Sequence, residues 1–119
     1  MNAAIDGRAD AVRRLLEGGA AVNAQDREGW TALHFAVQRC DTDVTVLLLG
    51  AGADPDLRDG NGNTALFRAV FAYRNAADCI SPLLAAGANP DAVNDHGVSP
   101  RTLARSIANY DSARFFETD

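Results

Sequence analysis

Lysine is missing from this chain of 119 residues; all of its basic residues are arginine. Against 16 acidic residues they leave a formal net charge of −5. That balance excludes a general nucleic-acid-binding role, since phosphate contact needs a basic face. It favours encounter with a basic partner over an acidic one. Lysine absence beside plentiful Ala, Gly and Arg points to a GC-rich coding sequence and a bacterial source. Long apolar runs are lacking too: none approaches the roughly 20 residues of a membrane span. No secretory leader pattern opens the chain, so a cytoplasmic location without membrane contact is expected. The two cysteines, Cys40 and Cys79, have no zinc-motif spacing and are expected as free thiols in a reducing compartment. Metal and phosphate motifs are absent as well, so no cofactor is expected and catalysis is not.

What the chain does have is a period. Gly29-Trp30-Thr31-Ala32-Leu33-His34-Phe35-Ala36-Val37 returns thirty-three positions later as Gly62-Asn63-Thr64-Ala65-Leu66-Phe67-Arg68-Ala69-Val70. Leu15-Leu16 and Leu48-Leu49 share that offset. A fixed period of this size marks stacked supersecondary units, none able to bury its apolar face alone. One domain over 1–119 is expected, with units of about 1–25, 26–58, 59–94 and 95–119. The first unit is incomplete. Its first helix is expected to be stunted and its second to run from about Ala9 to Glu17.

Local signals repeat within each unit. Thr31, Thr64 and Ser99 suit helix N-caps, and Pro100 suits a first helical position. Leu33, Ala36 and Val37 form an apolar stripe at helical spacing, with Phe35 and Gln38 off it. A break at Cys40-Asp41 precedes a second helix, capped by Thr42 and buried through Val44, Leu47 and Leu48. The stretch 54–62 carries turn residues without helical period and reads as a hairpin-like connection. The same turn explains Gly60-Asn61-Gly62, which lacks the strand and later glycine of a phosphate-binding loop. The pairs Asp41/Asp43 and Asp54/Asp56 read as caps and turn residues rather than as acid–base pairs.

Asp26, Gly29, Thr31, Leu33, His34 and Ala36, followed by Leu47 to Leu49, Gly52, Ala53 and Asp54, resemble the ankyrin repeat. The resemblance implies an all-α solenoid of about four units, the first incomplete and the last a cap, joined by hairpin-like loops. It also implies a non-catalytic protein-binding module. The closing stretch 97–116 resembles the end of small stand-alone bacterial ankyrin proteins, some of which are toxin-immunity proteins. A dedicated inhibitor of a basic partner such as a toxin domain is therefore expected, with a general adaptor or scaffold as the alternative. The free chain is expected to be monomeric.

Departures from the period mark what is particular to this chain. Phe67 replaces His34, so the Thr-to-His contact of the second unit cannot recur in the third. Gly52 to Gly87 spans thirty-five residues, which puts a two-residue insertion within 71–78. Pro82 is expected to kink the helix that follows. Arg101, where Leu66 stands one unit earlier, suits a capping unit, and Phe115 and Phe116 are expected to close the stack. His34 reads as a capping contact and His96 as a turn residue with some call on a partner. Positions shared between units hold the stack, and those that differ are free for recognition. The candidate partner-binding set is Arg27, Trp30, Phe35, Gln38, Arg39, Arg58, Asn61, Asn63, Arg68, Phe71, Tyr73, Arg74 and His96, with aromatic and arginine anchors foremost.

Overall fold

A computed structural model describes residues 3–73 and 78–106, with side chains from residue 10 onward. Among the described residues it is all-α, with helices α1 (Ala3–Glu17), α2 (Ala32–Gln38), α3 (Thr42–Gly50), α4 (Ala65–Ala72), α5 (Ile80–Ala85) and α6 (Pro100–Ser106) and no strand. Arg74, Phe115 and Phe116 lie outside the described residues.

The helices stack in two layers. Helix α2 packs on α4 and α4 on α6, while α1 packs on α3 and α3 on α5. Between the layers sits one core. Leu33, Val37, Leu66 and Val70 enter it from one side and Leu48, Ile80 and Leu83 from the other, all essentially out of contact with water. The thirty-three-residue period places these side chains in register, and Phe35 and Gln38 fall outside as the stripe requires.

Capping explains where the first-layer helices begin. Thr31 Oγ1 accepts the His34 N–H at 3.2 Å, and His34 Nδ1 accepts the Thr31 N–H at 3.1 Å. This reciprocal arrangement satisfies two donors that the helix itself cannot. In α4 the exchange is one-sided: Thr64 Oγ1 accepts the Phe67 N–H at 3.3 Å, and Phe67 has no polar atom to return it. At α6 the exchange is restored by another residue type, Thr102. Ser99 Oγ accepts the Thr102 N–H at 3.1 Å, and Thr102 Oγ1 accepts the Ser99 N–H at 2.9 Å.

Three local expectations are corrected. Asp41 caps α3, not Thr42: its Oδ1 accepts the Val44 N–H at 3.2 Å. The turn begins a residue early because Cys40 adopts a left-handed φ of 56° that ends α2. Pro82 produces no kink, since it is the third residue of α5, in the first turn where a missing N–H removes no helical bond. Asp78 Oδ1 accepts the Ile80 and Ser81 N–H groups instead, each at 2.9 Å. In the first unit there is no stunted helix and turn; α1 runs unbroken for 15 residues.

Hairpin-like loops join the units by one repeated device. Asp26 Oδ1 accepts the Glu28 and Trp30 N–H groups, Asp59 Oδ1 those of Asn61 and Asn63, and Asn94 Oδ1 those of His96 and Val98, all within 2.9–3.0 Å. Neighbouring loops are stitched together where the Gly60 N–H donates to Glu28 O at 2.7 Å and the Asp95 N–H to Asn61 O at 3.0 Å.

Candidate functional site

The hairpin tips and the outer flank of the α2/α4 layer carry most of the residues at which the units differ. Trp30 ends the first tip and lies half-buried over α2. Its ring centroid is 4.8 Å from that of Phe35 and 5.6 Å from that of His34. From the next unit the Arg68 guanidinium sits 4.7 Å from the Trp30 ring centroid, in cation–π range. The same guanidinium is held at 3.2 Å by Asp59 Oδ2, a carboxylate whose side chain is fully buried. Arg68 occupies the place of Phe35 one period on, so the two variable positions contact the same indole.

Other candidates are fully displayed. Phe35 and Phe71 each keep 49% of their surface exposed, as do other apolar residues such as Leu15 and Val46 to a similar or greater degree. Gln38 and Arg39 are exposed beside them, and Arg27, Arg58, Asn61 and His96 are exposed on the loops. Arg58 is partly committed, its Nη1 donating to Val93 O at 2.6 Å.

Two candidates belong to the scaffold instead. Tyr73 retains only 3% exposure and lies in the core. As the C-cap of α4 it takes an extended conformation where Cys40, one period earlier, turns left-handed, and so its side chain enters the core. Asn63 retains 6%. Its carbonyl accepts from His34 and its Oδ1 accepts from Asn94 Nδ2 at 2.8 Å, so its polar groups are spent between units.

His34 is likewise scaffold. Its Nε2 donates to Asn63 O at 2.9 Å, and burial holds its pKa below 6.5. Burial also raises the pKa of the Cys79 thiol, while Cys40, like Cys79, is a free thiol. At the far end Arg101 Nε pairs with Asp91 Oδ1 at 2.8 Å, which lowers the pKa of that carboxyl. Among the described residues no cluster of His, Cys, Asp or Glu could hold a metal ion, and no helix is long and apolar enough to cross a membrane.

A feature that the residue list missed lies beside Phe35. A cavity of about 300 Å³ opens between α1 and α2, lined by Val12, Ala32, Phe35, Ala36, Arg39, Asp41, Val44 and Leu48. Ala65 is 1% exposed beside α2, whereas Ala32 one period earlier is exposed on the cavity wall.

Comparison with known proteins agrees with this geometry. A family model of ankyrin repeats in three copies matches residues 1–94. The chain is 55% identical over 64 residues to the human 2-5A-dependent ribonuclease, covering 53% of this chain and 9% of the relative. It is 34% identical over 104 residues to the intracellular phospholipase A2 of Caenorhabditis elegans (82% and 10%), and 37% identical over 108 residues to neurogenic locus notch homolog protein 1 of Danio rerio (89% and 4%). The chain thus spans a tenth or less of the length of each of these three relatives.

Proposed function

The chain belongs to the ankyrin-repeat family, and from that premise we propose that it is a non-catalytic protein-binding module, one domain of four units whose partner meets the loop tips and the outer flank of α2 and α4. The observation that carries this reading is the division of labour along the period. Recurring positions such as Leu33/Leu66 and Val37/Val70 are buried and the non-recurring pair Gln38/Phe71 is exposed, while the differing positions His34, Asn63 and Tyr73 are buried and serve the stack. Phe35 and Phe71 offer the apolar area that interface cores require.

A dedicated inhibitor of the immunity type draws its support from the resemblance of 97–116 to small bacterial ankyrin proteins and from the charge of −5, which attracts a basic partner at long range. The relatives named above are eukaryotic, and in each the match is a small part of a longer protein. That context favours an adaptor module over an inhibitor. Two free thiols support a reducing compartment such as the cytoplasm.

Affinity capture with the wild-type chain and with a Phe35→Ala/Phe71→Ala variant tests the reading. A protein retained by the wild type and lost from the variant, at unchanged melting temperature, is the expected result. Equal retention by both would sink this face as the binding site.

A further inference from the structure

Each hairpin tip sets one residue before a glycine in left-handed conformation: Glu28 before Gly29, Asn61 before Gly62 and His96 before Gly97. Among these, Asn61 carries the side-chain amide that can close a succinimide ring on the following backbone nitrogen. Elsewhere in the chain no asparagine precedes a glycine. Glycine favours that closure, since it has no Cβ to crowd the nitrogen and its backbone turns freely. The Asn61 side chain is exposed and makes no hydrogen bond among the described residues. The fold restrains the other reactant. The Gly62 N–H donates to Asp59 O at 2.9 Å, and Asn61 O accepts the Asp95 N–H of the next tip at 3.0 Å. Both ends of the Asn61–Gly62 peptide unit are thus tied, one within its own tip and one across the boundary between units. Turning the Gly62 nitrogen onto the Asn61 side chain would break both bonds.

We propose that Asn61 is a modification site shielded by the stack: it deamidates when the 59–63 tip opens, and the product no longer fits the closed tip. In the step, the Gly62 nitrogen attacks the Asn61 side-chain amide carbon. The new N–C bond closes the succinimide as the bond to the amide nitrogen breaks, and that nitrogen leaves as ammonia with the proton from Gly62. One water then adds at either ring carbonyl. Opening one way gives aspartate; opening the other gives isoaspartate, whose main chain runs through one additional carbon. The tip has no room for it. A single carbon added at Gly62 would lie 2.8 Å from the Asp95 nitrogen and 2.6 Å from Asp95 Oδ1. A new carboxylate also appears at a tip already held by Asp59 and packed on Asp95. The adjoining Asn63 carbonyl, which accepts from His34 across the same boundary, would be displaced with the loop. Local openings ordinarily reclose without trace; at this tip they leave a covalent mark.

Incubating the intact chain at neutral pH, with and without unfolding urea, tests the proposal. Trypsin then releases the peptide from Asp59 to Arg68, in which chromatography separates the asparagine, aspartate and isoaspartate forms. Conversion is expected in urea and should disappear in Asn61→Gln, which distinguishes Asn61 from Asn63 in the same peptide. The folded chain should convert about tenfold or more slowly than the unfolded one. Isoaspartate chain returned to native buffer should melt at a lower temperature than Asn61→Asp, which has the same charge without the additional carbon. Equal rates with and without urea would mean that the stack gives no shield and would overturn the proposal. Absence of conversion in urea would overturn Asn61 as the site. An isoaspartate chain that melts with Asn61→Asp would overturn the misfit in the closed tip.

Discussion

His34 Nε2 donates to the carbonyl oxygen of Asn63 at 2.9 Å, across the boundary between consecutive units. Because Nδ1 at the same time accepts the Thr31 N–H at 3.1 Å, the ring is fixed as the neutral tautomer with its proton on Nε2. A second proton would have to enter at Nδ1, where it would face the Thr31 N–H it now accepts. The acceptance at Nδ1 therefore depends on the neutral ring, whereas the Nε2–H bond to Asn63 survives protonation.

That dependence gives a pH prediction. Burial, the largest cause, depresses the folded-state pKa of His34 below 6.5; the hydrogen bond to the Asn63 carbonyl, Asp59 and Asp26 oppose the shift, and Arg68 assists it. The unfolded chain therefore binds this proton at a higher pH than the folded one does. The stability contributed is complete above about pH 6.5 and falls as pH drops below it towards the folded pKa. Denaturant midpoints should decline as pH falls below about 6.5. Asp91, also with a lowered pKa, acts only in the more acidic range below its ordinary value of 3.8. In His34→Phe, which copies Phe67 of the next unit, the decline should vanish. Above pH 6.5 that variant should be less stable by about 1–3 kcal/mol, because the Asn63 carbonyl loses its donor. A His34→Phe chain with the same slope as the wild type would show that another group titrates.

Core truncation should separate stack from surface. Leu48 is buried between α3 and its neighbours, so Leu48→Ala should cost about 2–5 kcal/mol, read as a lowered urea midpoint. Tyr73→Ala should now behave the same way, at about 3–5 kcal/mol, since its ring is in the core. Phe35→Ala should change the midpoint little, because half of its surface is exposed already. A stable Tyr73→Ala chain with impaired partner binding would return Tyr73 to the recognition face.

The contrast between Tyr73 and Phe35 shows what could be read in advance. Between the second and third units, matched core positions share burial: Leu33 predicts Leu66, Val37 predicts Val70, and Phe35 falls outside the stripe as helical spacing requires. The match fails at Leu15, 64% exposed where Leu48 is buried, and at Ala32, exposed where Ala65 is buried. Thr31 and Thr64 predict their caps because a hydroxyl there has one set of donors within reach. Where the period slips, no second copy exists to compare, and Tyr73 was misplaced because its burial follows from how α4 ends. The Asp41 cap was missed for a similar reason: a non-glycine residue in left-handed conformation, Cys40, carries no sequence signal. Partner identity leaves no such trace, since exposed positions answer to a surface outside the chain.

Trp30 should prove to be an energetic keystone for both stability and binding. It contacts Phe35 and His34 and takes the Arg68 guanidinium over its ring. Trp30→Ala should remove that cation–π contact, worth about 0.5–2 kcal/mol, and leave Phe35 without its ring neighbour. A double-mutant cycle of Trp30→Ala with Arg68→Ala, followed by urea unfolding, reads the coupling directly. Additive losses would mean that Asp59 alone positions Arg68.

A close backbone approach between neighbouring loops gives the last prediction. Gly29 has φ +82°, and a Cβ built there would lie 2.9 Å from Asp59 Cα and 2.9 Å from the Gly60 nitrogen. Backbone atoms cannot swing aside as a side-chain tip can, so one loop would have to move off the next. The Gly60 N–H to Glu28 O bond at 2.7 Å would be strained with it. Gly87 supplies the control, for it has a comparable φ of +91° with nothing within 4 Å of its added Cβ. Gly87→Ala should cost about 1 kcal/mol, the conformational penalty alone. Gly29→Ala should cost that plus the clash, about 2–4 kcal/mol in all. Thermal or urea unfolding of the two variants side by side measures the difference. Equal losses would mean that the loops are not held at the spacing the structure gives them.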